Sequence, residues 1–319
     1  MIARQWLAGF ILVLLAPIQA LAWSGPAHAA VAAMAFRELA ADPALRKNLT
    51  DLLKNHPRFS AWESEFNAKK STFPSSLDFG MFLFIRAATW PDEIRRTADP
   101  KLKPFDHPDW HFVDYPLRPP EFTTGPSPFP NDDVLFGIRK SLETLANKDA
   151  KAVERAAALS WLIHLVGDIH QPLHCATLIT ATFKAPLGDR GGNGFIFFQN
   201  AEHKKRQLKT KLHSYWDGRL FGTSDGPPPP AQALQNAKSL EAKHSRADLG
   251  ELSAGGNAEQ WSFESRDEAA GNAYRFRGKE LGQEKVLPSG YITNSHKVAG
   301  RRLALAGYRL ADELHKVGF

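Results

Sequence analysis

A chain of 319 residues, 43% of them hydrophobic, is long enough to bury one large core or two small ones. Its net charge of +6 and pI near 9.3 suit contact with a polyanion or an anionic membrane without identifying either; no dense basic run stands out, so the charge reads as spread over the surface. The single cysteine, Cys175, excludes an internal disulfide and a fully thiolate zinc site, and reads as a small buried hydrophobe.

Arg4 gives the chain a short basic start, and the apolar run Trp6 to Leu15 falls short of the roughly 20 residues a membrane span needs. Small residues follow at Ala20-Leu21-Ala22. This pattern predicts a signal peptide over 1–22, export to the periplasm or medium, and a mature chain of 23–319 starting at Trp23 without a stable membrane anchor.

Apolar residues spaced three and four apart predict helices over Pro26 to Leu39, Pro43 to Leu53, Asp133 to Leu145, Ala150 to Asp168, Gln207 to Leu220, Ala231 to His244 and Val298 to Leu314. Asp42-Pro43 and Asn131-Asp132 supply capping side chains. Strand signal is confined to Gly194 to Gln199, which reads as part of a small hairpin. The proline run Gly226 to Pro230 and the stretch Ser253 to Asn257 read as surface loops, there is no internal repeat, and the apolar stripe Leu303 to Leu314 reads as core packing. The expected fold is all-α, a single mostly helical domain with a minor β-hairpin.

The run from Trp161 to His174 holds the chemistry. His164 and Asp168 stand four apart on one helical face, so both reach a single ion from a rigid support. Pro172 ends the helix, and His174 just beyond it can turn toward a second ion. A single His/Asp pair of this kind is more often a core histidine beside a helix-end carboxylate. A second pair, His213 and Asp217, weakens that reading, because two imidazole–carboxylate pairs suit zinc sites that keep a coordination position open. Further candidate ligands are distant: His28, Asp92 after a proline turn in Trp90-Pro91-Asp92, and His111 in Trp110-His111-Phe112-Val113-Asp114.

In order and local spacing these residues, with the turn Gly188-Asp189-Arg190-Gly191-Gly192-Asn193, resemble the zinc-dependent single-strand-specific nucleases of the S1/P1 family over essentially the whole mature chain. The resemblance implies a helical fold with three zinc ions in a cleft. Asp92, His111, His164 and Asp168 would hold one ion, with Asp168 bridging to a second that also takes the amino nitrogen and carbonyl oxygen of Trp23 together with His28. His174, His213 and Asp217 would hold the third. The implied activity is endonucleolytic hydrolysis of single-stranded DNA and RNA to 5′-phosphate products, with removal of 3′-phosphates from mononucleotides.

By the same resemblance Phe112 would stack on a nucleobase and Asp114 would hydrogen-bond it. By position alone, Arg95 three residues past Asp92 can reach a phosphate and Asn193 in the glycine-rich turn can line the cleft, with a surface location the alternative for both. Asp92 is the candidate catalytic residue, either moving a proton or orienting the metal. His170 is expected to be structural, and the protein to be a monomer. The zinc-dependent phospholipases C resemble this family in fold and ligands and are the alternative reading; a periplasmic zinc store is a third.

Overall fold

The computed structural model describes residues 23–95, 98–122, 132–224 and 226–318, so the expected signal segment 1–22 and the expected cap Asn131 lie outside the described residues. Helix α1 (Gly25–Glu38) starts with Pro26 in its first turn and is buried from Gly25 to Phe36. Its alanines add little bulk, so α4 (Phe79–Ile94), α9 (Pro230–Lys243) and α12 (Tyr291–Val317) all pack against it. Helix α5 (Val134–Ala146) packs on α6 (Ala152–Asp168), which in turn packs on α4. The fold is all-α, as expected.

Most expected helices form within a few residues of their expected bounds. Helix α2 (Pro43–Leu53) is capped by Asp42, whose carboxylate accepts from Leu45 N at 2.9 Å. The cap of α5 is Asp133, which accepts from the amides of Leu135 and Phe136; Asp132 accepts from Trp110 Nε1 at 2.7 Å instead. Helix α8 (Leu212–Asp217) is much shorter than Gln207 to Leu220, because Thr210 and Lys211 are drawn into a strand. Helix α12 starts earlier than Val298, immediately after Gly290 at φ 87°.

Besides the short α7 (Ala201–Lys205) and α10 (Gly250–Ser253), three longer helices among the described residues lie outside the expected set. Helix α3 (Phe59–Lys69) buries only Trp62 fully. Helix α4 is apolar almost all round, so it has no amphipathic period to detect, and Pro91 lies inside it. Asp92 therefore belongs to the last turn of a helix and does not follow a proline turn. Helix α11 (Ala258–Glu268) turns Ser262 and Ser265 inward along with Trp261, which hides its buried face from a hydrophobicity reading.

Among the described residues the β strands form three short pairs. β1 (Pro116–Leu117) lies parallel to β2 (Thr177–Leu178), β3 (Ile196–Phe197) antiparallel to β4 (Thr210–Lys211), and β5 (Arg275–Phe276) antiparallel to β6 (Lys279–Glu280). The strand expected near Gly194 thus pairs across a long connection holding the short helix α7 (Ala201–Lys205), so it is not a tight hairpin. A second, smaller core under these strands gathers Phe195, Phe197, Leu212, Trp216, Tyr274 and Tyr291. No helix among the described residues is long and apolar enough to cross a membrane.

Candidate metal centre

Four separate stretches meet at the C-terminal end of α6. Asp168, fully buried, projects from its last residue. Its Oδ2 lies 3.0 Å from His164 Nε2 and 3.0 Å from His111 Nδ1, which are themselves 3.0 Å apart. Its Oδ1 points the other way, 3.3 Å from His28 Nε2 and 3.6 Å from His174 Nδ1. Ligands about 2.0–2.1 Å from a tetrahedral ion stand roughly 3.3 Å apart, so these spacings are those of donors converging on a cation. One carboxylate thus faces two groups of imidazoles.

Asp92 completes the first group, with Oδ1 3.9 Å from His111 Nδ1 and 4.0 Å from His164 Nε2. The Ala88 carbonyl of α4 accepts from His164 Nδ1 at 2.8 Å. That bond fixes the tautomer in which Nε2 presents a lone pair inward. The same device recurs in the third group, where His174 Nδ1 donates to the His111 carbonyl and His213 Nδ1 to the Gly191 carbonyl, each at 2.6 Å. His213 Nε2 stands 3.5 Å from Asp217 Oδ2. Side chains of His28, His164 and Asp168, of Asp92, His111 and His164, and of His174, His213 and Asp217 form three buried groups, each compact enough to hold a metal ion.

Electrostatics match this convergence. Burial works to raise Asp168, but His164, His174 and His111 outweigh it and hold the carboxyl well below its ordinary range. Burial pushes His28 down, and pushes His111 down to about 4. His164 goes the other way, because Asp168 and Asp92 overcome its burial. His28 Nε2 and Asp168 Oδ1 are buried with no hydrogen-bond partner, a costly arrangement that a bound cation relieves.

Glycines make room for the ligands. A Cβ on Gly167 would lie 2.8 Å from His28 Nδ1, and that ring cannot retreat because it stacks on His164 with centroids 3.9 Å apart. Gly167→Ala is expected to cost about 1–3 kcal/mol of stability. It should also weaken retention of the metal beside His28, as read by metal content after dialysis. Gly191, at φ 60°, has space only for hydrogen, since a Cβ would come within 2.5 Å of the Leu173 carbonyl.

Trp23 is buried, and Ser24 N donates to the Asp217 carbonyl at 3.1 Å, which ties this segment beside the third group. Arg95 and Asn193 are not surface residues. Arg95 Nη1 sits 3.4 Å from Asp92 Oδ1, and Asn193 Nδ2 donates to the Arg190 carbonyl at 2.9 Å within its own turn. Phe112 is half-buried next to His111. Burial, with the Asp189 carboxylate, pushes Asp114 up to about 7. A raised folded pKa means the ionised form is disfavoured on folding, so stability falls as pH rises toward 7. Asp114→Asn is therefore expected to melt above the parent at pH 8, by about 2–4 °C for each kcal/mol gained, with the gap closing toward pH 5 in thermal scans.

Residues that the sequence did not single out support the centre. Gln171 Nε2 donates to Asp217 Oδ1 at 2.7 Å, and its Oε1 accepts from Leu173 N. Gln171→Ala is expected to lower metal affinity at the third group by about 10–100-fold in a competition titration with a chromogenic chelator. His170 is structural, as expected: Nδ1 donates to the Val166 carbonyl at 2.8 Å and Nε2 accepts from Arg309 at 2.9 Å. Arg302 donates to the His170 carbonyl, and both arginines share Glu264 of α11. The recurrence of arginine seven residues apart within the otherwise apolar stripe of α12 is the available signal. Asp189 stays buried, accepting from Leu178 N and the Tyr274 hydroxyl, and so shapes the glycine turn.

A helical domain enclosing three adjoining imidazole–carboxylate groups defines a protein built around a candidate multinuclear metal centre. The model of the S1/P1 nuclease family matches residues 23–318, and the chain belongs to that family. It is 27% identical to Endonuclease 5 of Arabidopsis thaliana over 268 residues, 78% of this chain and 82% of that protein. Endonuclease 4 of the same plant is 26% identical over 80% of this chain and 83% of its own length. Nuclease S1 of Aspergillus oryzae is 30% identical over 138 residues, 42% of this chain and 40% of that one. The chain is accordingly a hydrolase of the nuclease type.

Proposed function

We propose that this protein is an exported zinc-dependent endonuclease and 3′-nucleotidase acting on single-stranded DNA and RNA. The observation that carries the reading is the division of Asp168 between His111 and His164 on one side and His28 on the other, in a chain of a nuclease family. Asp92, His111, His164 and Asp168 would hold one zinc ion. Asp168, His28 and the amino nitrogen and carbonyl oxygen of Trp23 would hold a second, and His174, His213 and Asp217 a third. The donor set is all imidazole, carboxylate and backbone, which suits zinc.

Zinc bound there supplies Lewis acidity toward a phosphodiester and makes water acidic enough to ionise near neutral pH. The chain's own groups place the substrate. Phe112 offers an aromatic face to an unpaired base, and Asp114 beside it hydrogen-bonds the base edge; a duplex hides both features of the base. Arg95 holds Asp92 in place and brings positive charge to the edge of the first group, where a phosphate arrives. Asn193 braces the glycine turn whose Gly191 carbonyl orients His213. Asp92 acts as a ligand carboxylate oriented by Arg95.

The test is hydrolysis of single-stranded DNA and RNA by protein starting at Trp23, with chelation, zinc restoration and analysis of product ends. Zinc-restored cleavage leaving 5′-phosphates supports the reading. Phosphatidylcholine hydrolysis in its place would move the protein to the phospholipase class, and tight zinc without turnover to metal storage.

A further inference from the structure

The positive charge of this chain is concentrated, contrary to the spread expected from its sequence. Segments 184–211 and 275–285 together hold eleven Lys and Arg against four Asp and Glu, an excess of seven in a chain whose whole net charge is +6. The remainder of the molecule is close to neutral. Tertiary structure brings the two segments together. β3 pairs with β4 on one side, and on the other Phe198 N donates to the Lys285 carbonyl at 2.9 Å while Leu287 N donates to the Phe198 carbonyl at 3.0 Å. Lys209 pairs with Glu284 across the junction. Lys204, Lys205, Arg206, Lys279 and Lys285 are exposed and form no ion pair among the described residues.

This lobe adjoins the metal centre. β4 runs directly into α8, which carries His213 and Asp217, and β3 follows the turn whose Gly191 carbonyl holds His213. We propose that the lobe binds the phosphate backbone of a long polynucleotide and leads it toward the centre, an inference that rests on the nuclease reading above. Unpaired, exposed cations next to a site for anionic substrate favour counterion-releasing contacts with a strand. A membrane is the weaker fit, because the charges sit on turns, short strands and the five-residue α7, with no long amphipathic helix to lie in an interface.

The experiment compares the zinc-loaded parent with a variant carrying Lys204→Gln, Lys205→Gln, Arg206→Gln and Lys209→Gln. A second variant neutralises Arg277, Lys279 and Lys285, and a control neutralises the exposed Lys47, Lys70, Lys101 and Lys148, which lie outside both segments. Binding is read by anisotropy on a phosphorothioate thymidylate strand of about 40 nucleotides across a salt series, and turnover on a thymidine dinucleotide. Both lobe variants are expected to bind the strand about tenfold more weakly at low salt, with the salt slope reduced by roughly 0.7 for each phosphate no longer neutralised. Dinucleotide turnover, which also reports folding, should stay within about twofold of the parent, and the control should bind like the parent.

Equal strand affinity in parent and lobe variants overturns the inference. So does tighter, lobe-dependent binding to phosphatidylglycerol vesicles than to the strand, which assigns the lobe to a membrane. Absence of dinucleotide hydrolysis by the parent would refute the nuclease reading alone, since the binding series still decides the role of the lobe.

Discussion

Asp168→Asn is expected to abolish nuclease activity, lowering kcat on single-stranded DNA by at least about 10³-fold, and to empty two metal positions at once. The substitution keeps the shape of the side chain and removes its charge. His164 and His111 would then face a neutral amide on one side and His28 on the other, across distances of 3.0 to 3.3 Å. With Asp168 neutral, Asp92 alone offsets a dication in the first group and no carboxylate does so beside His28, so both buried positions hold a cation less well. Metal analysis of the dialysed variant should show retention confined to the group of His174, His213 and Asp217. Full metal content with full activity would remove Asp168 from the centre.

The second large effect concerns the proposed cleavage between Ala22 and Trp23. Protein produced with Ala22 still joined to Trp23 is expected to lose about one zinc per chain and to fall by on the order of 10²-fold or more in kcat, with its fold intact by circular dichroism. An amide nitrogen has its lone pair delocalised into the carbonyl and does not ligate as a free amine does. Trp23 is buried, and the adjoining Ser24 amide is bonded to the Asp217 carbonyl, so the Trp23 backbone is held in place beside the third group. Proteolytic removal of the extra residue should restore both zinc and rate. A fully active extended chain would exclude the Trp23 amine as a ligand.

Much of the fold and of the centre is legible in the sequence, and for definite reasons. His164 with Asp168, and His213 with Asp217, are four-residue spacings on helices, so local geometry alone puts each pair on one face. The capping of α2 by Asp42 is likewise a matter of neighbours. Legibility fails where burial removes the periodic signal, as in the uniformly apolar α4, or where a buried face carries polar atoms, as in α11. It also fails at Gln171, whose partner Asp217 is distant along the chain, and at Arg302 and Arg309, which hold His170 in the turn after α6 from another helix.

Residue type, and spacing within a turn or two, were enough to set the helical class, the two paired ligand motifs and the absence of internal disulfides. Three-dimensional packing was needed to divide Asp168 between two ligand groups, to end a helix with Asp92 beside His164, and to gather scattered lysines and arginines on one lobe. Those outcomes depend on how separate elements fit together, and that fit is settled by shape and burial across the whole chain, to which short-range periodicity is blind.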